Sequence, residues 1–148
     1  MQAWRDIDLK PPYEFSMRFR VNRVPDEEWP VLNVCVGCPT EPAWSKHGLS
    51  HTRLPKEGIW ERLKARPEDN CWMVGAKKTD VPLDTAWHTL SVSVTTDVAR
   101  VRLDDSVVHE RKHQVQQAHG IAVNSGHRTT QKPVGGVLVD DVIITRKP

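Results

Sequence analysis

From Tyr13 to Val21 apolar and polar residues alternate without a fault. Alternation of period two sends successive side chains to opposite faces of a sheet, so this stretch predicts a strand with one wet face. The pattern returns in Trp87 to Thr95 and again in Val98 to Leu103. Asp104-Asp105 then supplies a two-residue hairpin turn before Ser106 to Glu110, which makes the unit a β-meander. Val31 to Gly37 is a short apolar run of the kind buried on both faces. Gly58 to Leu63 and Cys71 to Ala76 pair as a hairpin across the polar segment Lys64 to Asn70. Ile59 to Leu63 also fits one helical turn, because Glu61, Arg62, Leu63 and Lys64 favour helix. Gly120 to Asn124 adds a short strand, and Gly136 to Thr145 closes the chain with apolar residues on both faces.

Two breaks interrupt this order. Pro25 to Pro30 holds Asp26, Glu27 and Glu28 between prolines and reads as a turn. From Pro39 to Pro55 the pattern dissolves into an irregular segment that carries Trp44, His47, Gly48 and His51, and long loops on a β-scaffold are where binding groups sit. About nine short strands with regularly spaced turn signals and no long helix predict an all-β, two-sheet antiparallel sandwich of the jelly-roll kind.

The C-terminal half resembles the concanavalin A-like and laminin-G-like jelly rolls of the lectin and glucanase superfamily. Three pieces carry the likeness: Trp87-His88-Thr89-Leu90 opening a strand, Val101-Arg102-Leu103-Asp104-Asp105 turning into Val107-Val108, and the terminal Val139-Asp140-Asp141-Val142-Ile143-Ile144. The resemblance implies that the first two are central strands beneath a binding face and that the last strand returns beside the first. It also implies a place for calcium at Asp140 and Asp141, since relatives hold an ion there; one carboxylate pair alone also suits an exposed edge. Residues 39 to 70 match no pattern of the family.

A chain of 148 residues buries a full core as one domain without metal or disulfides. Its 21 basic and 19 acidic residues are scattered and sum to +2, which argues against nucleic acid as a partner. Arg18, Arg20 and Arg23 line one side of the first strong strand, either as a wet face or as a row for acidic polymers. There is no run of eighteen apolar residues and no apolar core near the N-terminus, so neither membrane insertion nor a signal peptide is expected, although a chain trimmed of its signal would read the same. Cys35, Cys38 and Cys71 are odd in number, which suits a reducing compartment and leaves at least one free thiol. With His47 or His51 they also match a three-sulfur zinc set, but no second Cys-x-x-Cys pair supports it and Val34-Cys35-Val36 reads equally as buried strand.

No elbow serine, no His-Glu-x-x-His and no paired-carboxylate strand of the glucanase type occurs, so no catalytic residue is assigned. The seven histidines are open to structural or chemical use. Six tryptophans against one tyrosine and two phenylalanines point instead to binding, because flat rings stack on sugars while polar neighbours take the hydroxyls. The candidate ligand residues are Trp44, His47, His51, Arg53, Trp60 and Trp72, with core packing the competing role for each ring. Trp87 is expected in the core, Trp4 against the terminus and Trp29 at a turn. The expected function is a non-catalytic carbohydrate-binding module without cofactor. The alternatives are an assembly module such as a virion part, binding protein partners or copies of itself, and a glycoside-active enzyme with an unrecognised site.

Overall fold

Strict alternation becomes strand. Tyr13–Val21 (β2) buries every odd-numbered side chain and half-buries every even one. The structure is a computed structural model that describes residues 2–37, 58–115, 117–125 and 136–147. Around β2 these residues form Gln2–Leu9 (β1), Trp29–Val36 (β3), Ile59–Arg66 (β4), Cys71–Val74 (β5), Lys77–Pro82 (β6), His88–Val94 (β7), Val98–Leu103 (β8), Ser106–Lys112 (β9), Ala118–Ser125 (β10) and Val137–Arg146 (β11). Helix is confined to a 3-10 turn at Pro67–Asp69 among the described residues.

Two antiparallel sheets result. One has six strands in the order β1-β10-β3-β4-β5-β6, the other five in the order β11-β2-β7-β8-β9. The expected meander is β7-β8-β9, turning at Asp104 and Asp105 with Leu103 opposite Ser106. The last strand lies beside the first strong one, as the family likeness implies, with Val139 opposite Phe19 and Ile144 opposite Phe15. Between those pairs β11 carries a bulge with Asp141 at φ 48°, and the bulge explains why its apolar residues fall on both faces.

The strand expected from Gly58 to Leu63 is present, and its alternative, one helical turn, is not: Ile59, Glu61, Leu63 and Ala65 point inward at period two and β4 pairs on both sides, so sheet pairing overrides local helix propensity. The strand also runs through Lys64 to Arg66, where a turn was expected. Finally, β1 and β6 are strands the alternation does not reveal. Both are edges: β6 buries only Val81, and β1 sets only Ile7 and Leu9 against the core among its described side chains.

The core fills the space between the sheets. Phe15, Met17 and Phe19 of β2 meet Leu32, Val34, Leu63 and Trp72 of the six-stranded sheet. Trp72 is fully buried, edge-on to Phe19 with centroids 5.4 Å apart. His88, 6% exposed, packs against both rings and is held by two carboxylates: its Nε2 lies 2.8 Å from Asp84 Oδ1 and its Nδ1 3.0 Å from Asp104 Oδ2. Burial pushes the Asp84 carboxyl up, but the hydrogen bonds from His88 and the Ala86 amide outweigh it and hold the group below the ordinary aspartate value. This histidine therefore ties the loop before β7 to the turn after β8, a structural use of one of the seven.

Candidate functional site

In β4 the inward set Ile59, Glu61, Leu63 and Ala65 leaves Trp60, Arg62, Lys64 and Arg66 on the outer face of the six-stranded sheet. Leu32, Val34 and Val36 of β3 join the core, so Asn33 takes the outer face too, directly opposite Arg62. The Arg62 Nε–H donates to Asn33 Oδ1 at 2.9 Å. Asn33 is only 3% exposed, and its Nδ2 is buried with no hydrogen-bond partner among the described residues.

Beside this row β5 stops short. It pairs with β4 only from Leu63 to Arg66, and the Gly75 N–H closes the pairing on the Arg62 carbonyl at 2.8 Å. Gly75 sits at φ 59°, where a side chain would be strained, and space opens beyond it. The outcome is a depression of about 310 Å³ that wraps from the outer face around the free edge of β4, lined by Asn33, Trp60, Arg62, Lys64, Glu61, Gly75 and Arg111.

Glu61 forms its floor. The side chain is 1% exposed and bridges the two sheets: its Oε2 lies 3.1 Å from His109 Nε2 and its Oε1 3.0 Å from Arg111 Nη2, both on β9. The Arg111 contact is an ion pair without hydrogen-bond geometry, since Oε1 finds no aligned donor. Burial drives the Glu61 pKa from 4.5 up to about 7, against the pull of Arg111. Burial likewise lowers His109, helped by the charges of Arg111 and Lys77. A carboxyl, an imidazole and a guanidinium thus meet between the sheets, and Glu61 and Arg111 of this group line the depression.

Of the expected site residues, Trp60 lies in this depression, half-buried. Trp44, His47, His51 and Arg53 fall outside the described residues. Trp72 is corrected: on β5 it sits opposite Ala65, which points inward, so its ring belongs to the core and no ligand reaches it. Trp87 is corrected the other way. It is half-buried on the outer side of the five-stranded sheet, with the guanidinium groups of Arg18 and Arg20 over its ring at 4.8 Å and 5.2 Å. Those arginines are thus tryptophan-stacked, and Arg23 lies by Asp26. Glu61, Asn33, Lys64 and Arg111 escaped sequence reasoning. Glu61 alone left a trace, as an acid at an inward position of the alternation.

The metal readings fare differently. Cys35 is disulfide-bonded, contrary to the expectation of reduced thiols, and Cys71 is free and buried. Cys35 lies opposite Trp60 and Cys71 opposite Arg66, six residues along β4 and hence roughly 20 Å apart at ~3.3 Å per residue, so the two cannot share a zinc ion. Asp141 accepts from Arg18 Nη1 at 3.0 Å, while Asp140 Oδ1 accepts the Asp141 amide at 2.8 Å. A larger depression, about 880 Å³, opens between β1 and β11, where Ile7, Leu9, Val139 and Ile144 make its walls mainly apolar. Among the described residues it has no ring to stack on and no buried, unpartnered polar group, so the β4 depression is the better candidate for a polar ligand.

Comparison with solved structures finds this sandwich repeatedly. The carbohydrate-binding module CBM66 from Bacillus subtilis superposes with a TM-score of 0.53 at 10% identity, over 97% of this chain and 81% of that one. Sheep galectin-11 in complex with glycerol gives 0.59 at 12% identity, over 96% of each chain. The carbohydrate esterase vb_24B_21 from the Shiga toxin-encoding bacteriophage phi24B gives 0.60 at 14% identity, over 93% of this chain and 69% of that one. No family model and no curated protein matches the sequence. Likeness at such identities establishes the fold alone, a two-sheet antiparallel β-sandwich of the jelly-roll kind.

Proposed function

We propose that this chain is a carbohydrate-binding module whose site is the depression around Trp60. The observation that carries the reading is one half-buried indole set beside Asn33, Arg62 and Lys64 at a strand edge. Such a ring covers the apolar face of a pyranose while the neighbouring donors take its oxygens. The carbohydrate-binding module and the galectin among the structural neighbours support the same reading at the level of the fold. Binding is favoured over glycoside cleavage because cleavage requires two carboxyl groups flanking the scissile bond, roughly 5–9.5 Å apart. Glu61 is the one carboxyl among the described lining residues, and its side chain is 1% exposed.

Trp60→Ala is expected to weaken saccharide binding by at least tenfold in isothermal titration calorimetry, with the far-ultraviolet circular dichroism unchanged because the side chain lies outside the core. An affinity within twofold of the parent would remove Trp60 from the site.

A second reading, an assembly module, draws on β11. Leu138, Val142 and Ile143 are 41%, 51% and 51% exposed along this edge strand of the five-stranded sheet. A long apolar edge invites pairing with a second copy of the chain. Under this reading size-exclusion light scattering gives a dimer or larger species that Ile143→Lys disperses; a monomer at every concentration would dispose of it.

A further inference from the structure

Among the described residues, the side chains lining the depression offer hydrogen-bond donors almost alone. Lys64 and the two arginines, Arg62 and Arg111, have no acceptor capacity. Asn33 has its oxygen occupied by Arg62, which leaves the buried, unpartnered Nδ2 as a further donor. Lys64 makes no hydrogen bond or ion pair among the described residues, and Arg62 has no carboxylate partner among them. Glu61 is the only acid in the lining among the described residues; it is buried beneath Arg111, and burial favours its neutral form. A neutral sugar, whose hydroxyls donate as well as accept, would leave donors facing donors, and each unpaired buried donor costs affinity. An acceptor-only, negatively charged group matches the set.

Resting on the saccharide reading above, we propose that this depression selects saccharides bearing a carboxylate or sulfate, with Lys64 and Arg111 holding the anionic group, Asn33 Nδ2 donating to a ligand oxygen and Trp60 stacking on the ring. Lys64 and Arg111 are the charge-selecting residues. Arg62 orients Asn33, because its Nε–H fixes the amide with the nitrogen available.

The test is a pair of matched comparisons by calorimetry on the whole chain at low and at physiological salt. Oligogalacturonate is set against its methyl-esterified, neutral form, and a sulfated galactan oligomer against its desulfated form. The expected result is at least tenfold tighter binding of one or both charged members, weakening as salt rises, lost in Trp60→Ala and reduced to the neutral level in Lys64→Met/Arg111→Met. The arm that responds identifies the anionic group. Equal, Trp60-dependent binding of charged and neutral oligomers would overturn the charge selection and leave the saccharide reading standing. Charged oligomers that bind regardless of Trp60, Lys64 and Arg111 would overturn it as well, by placing the contact elsewhere. If no oligomer binds, the saccharide reading falls and the selection falls with it. Circular dichroism of the double variant shows whether it folds.

Discussion

Trp72→Ala is expected to remove about 3–5 kcal/mol of folding stability, a large part of what a domain of this size possesses. Trp72 is the largest fully buried side chain among the described residues and reaches across the core, edge-on to Phe19 and against His88. Truncation forfeits its transfer energy and leaves a cavity facing Phe19 and His88, which are paired neighbours on the opposite sheet and are held there by that pairing. Trp72→Phe is expected to cost much less, because the indole Nε1 has no hydrogen-bond partner among the described residues and only volume is lost. Urea denaturation measures both. A Trp72→Ala loss below 1 kcal/mol would show that the ring is not the keystone described, and would reopen it as a ligand residue.

The second large effect is one of pH. The Glu61 pKa rises from 4.5 in the unfolded chain to about 7 in the fold, mainly through burial. Because the folded value is the higher, the group's contribution to stability is complete below pH 4.5 and is lost as pH rises through 7. At ~1.4 kcal/mol per unit the loss is about 3 kcal/mol. Glu61→Gln keeps an oxygen and a nitrogen facing His109 but cannot ionise, so the variant should match the parent near pH 5 and exceed it by about 3 kcal/mol at pH 8. His109 works in the opposite sense. Its lowered pKa gives a contribution that is present above the ordinary histidine value of 6.5 and lost as pH falls, and because both proteins contain it, it largely cancels in their difference. Urea melts at pH 5, 6, 7 and 8 decide the matter: a parent-to-variant difference that does not move with pH would mean that Glu61 is ionised in the fold at every pH tested.

How legible each element was depended on what it buries. β2, β7 and β8 bury one face against the opposite sheet, so their alternation was written plainly at Tyr13–Val21, His88–Val94 and Val98–Leu103. β6 was illegible for the converse reason: a sheet-edge strand with only Val81 buried has no pattern to show. The site was harder still. Trp60 and Trp72 lie twelve residues apart in the same hairpin with similar neighbours, yet register sends Trp72 inward opposite Ala65 and Trp60 outward opposite Cys35. Without pairing, nothing separates a core ring from a surface ring. Arg111 comes to the depression from the other sheet, across 50 residues of chain from Glu61, a contact no local spacing encodes. Trp87 was misplaced because its apolar body suggested the core, whereas the aliphatic stems and guanidinium groups of Arg18 and Arg20 shelter it from outside the sheet.

The most direct test of the saccharide site is a ¹H–¹⁵N titration of the indole signals, each assigned by a single Trp→Phe variant, with charged and neutral oligosaccharides. A saturable shift of the Trp60 Nε1–H together with the amides of Gly75 and Asn33 is expected, while the Trp72 signal stays in place. Shifts confined to Trp87 or to β11, or none across the panel, would contradict it.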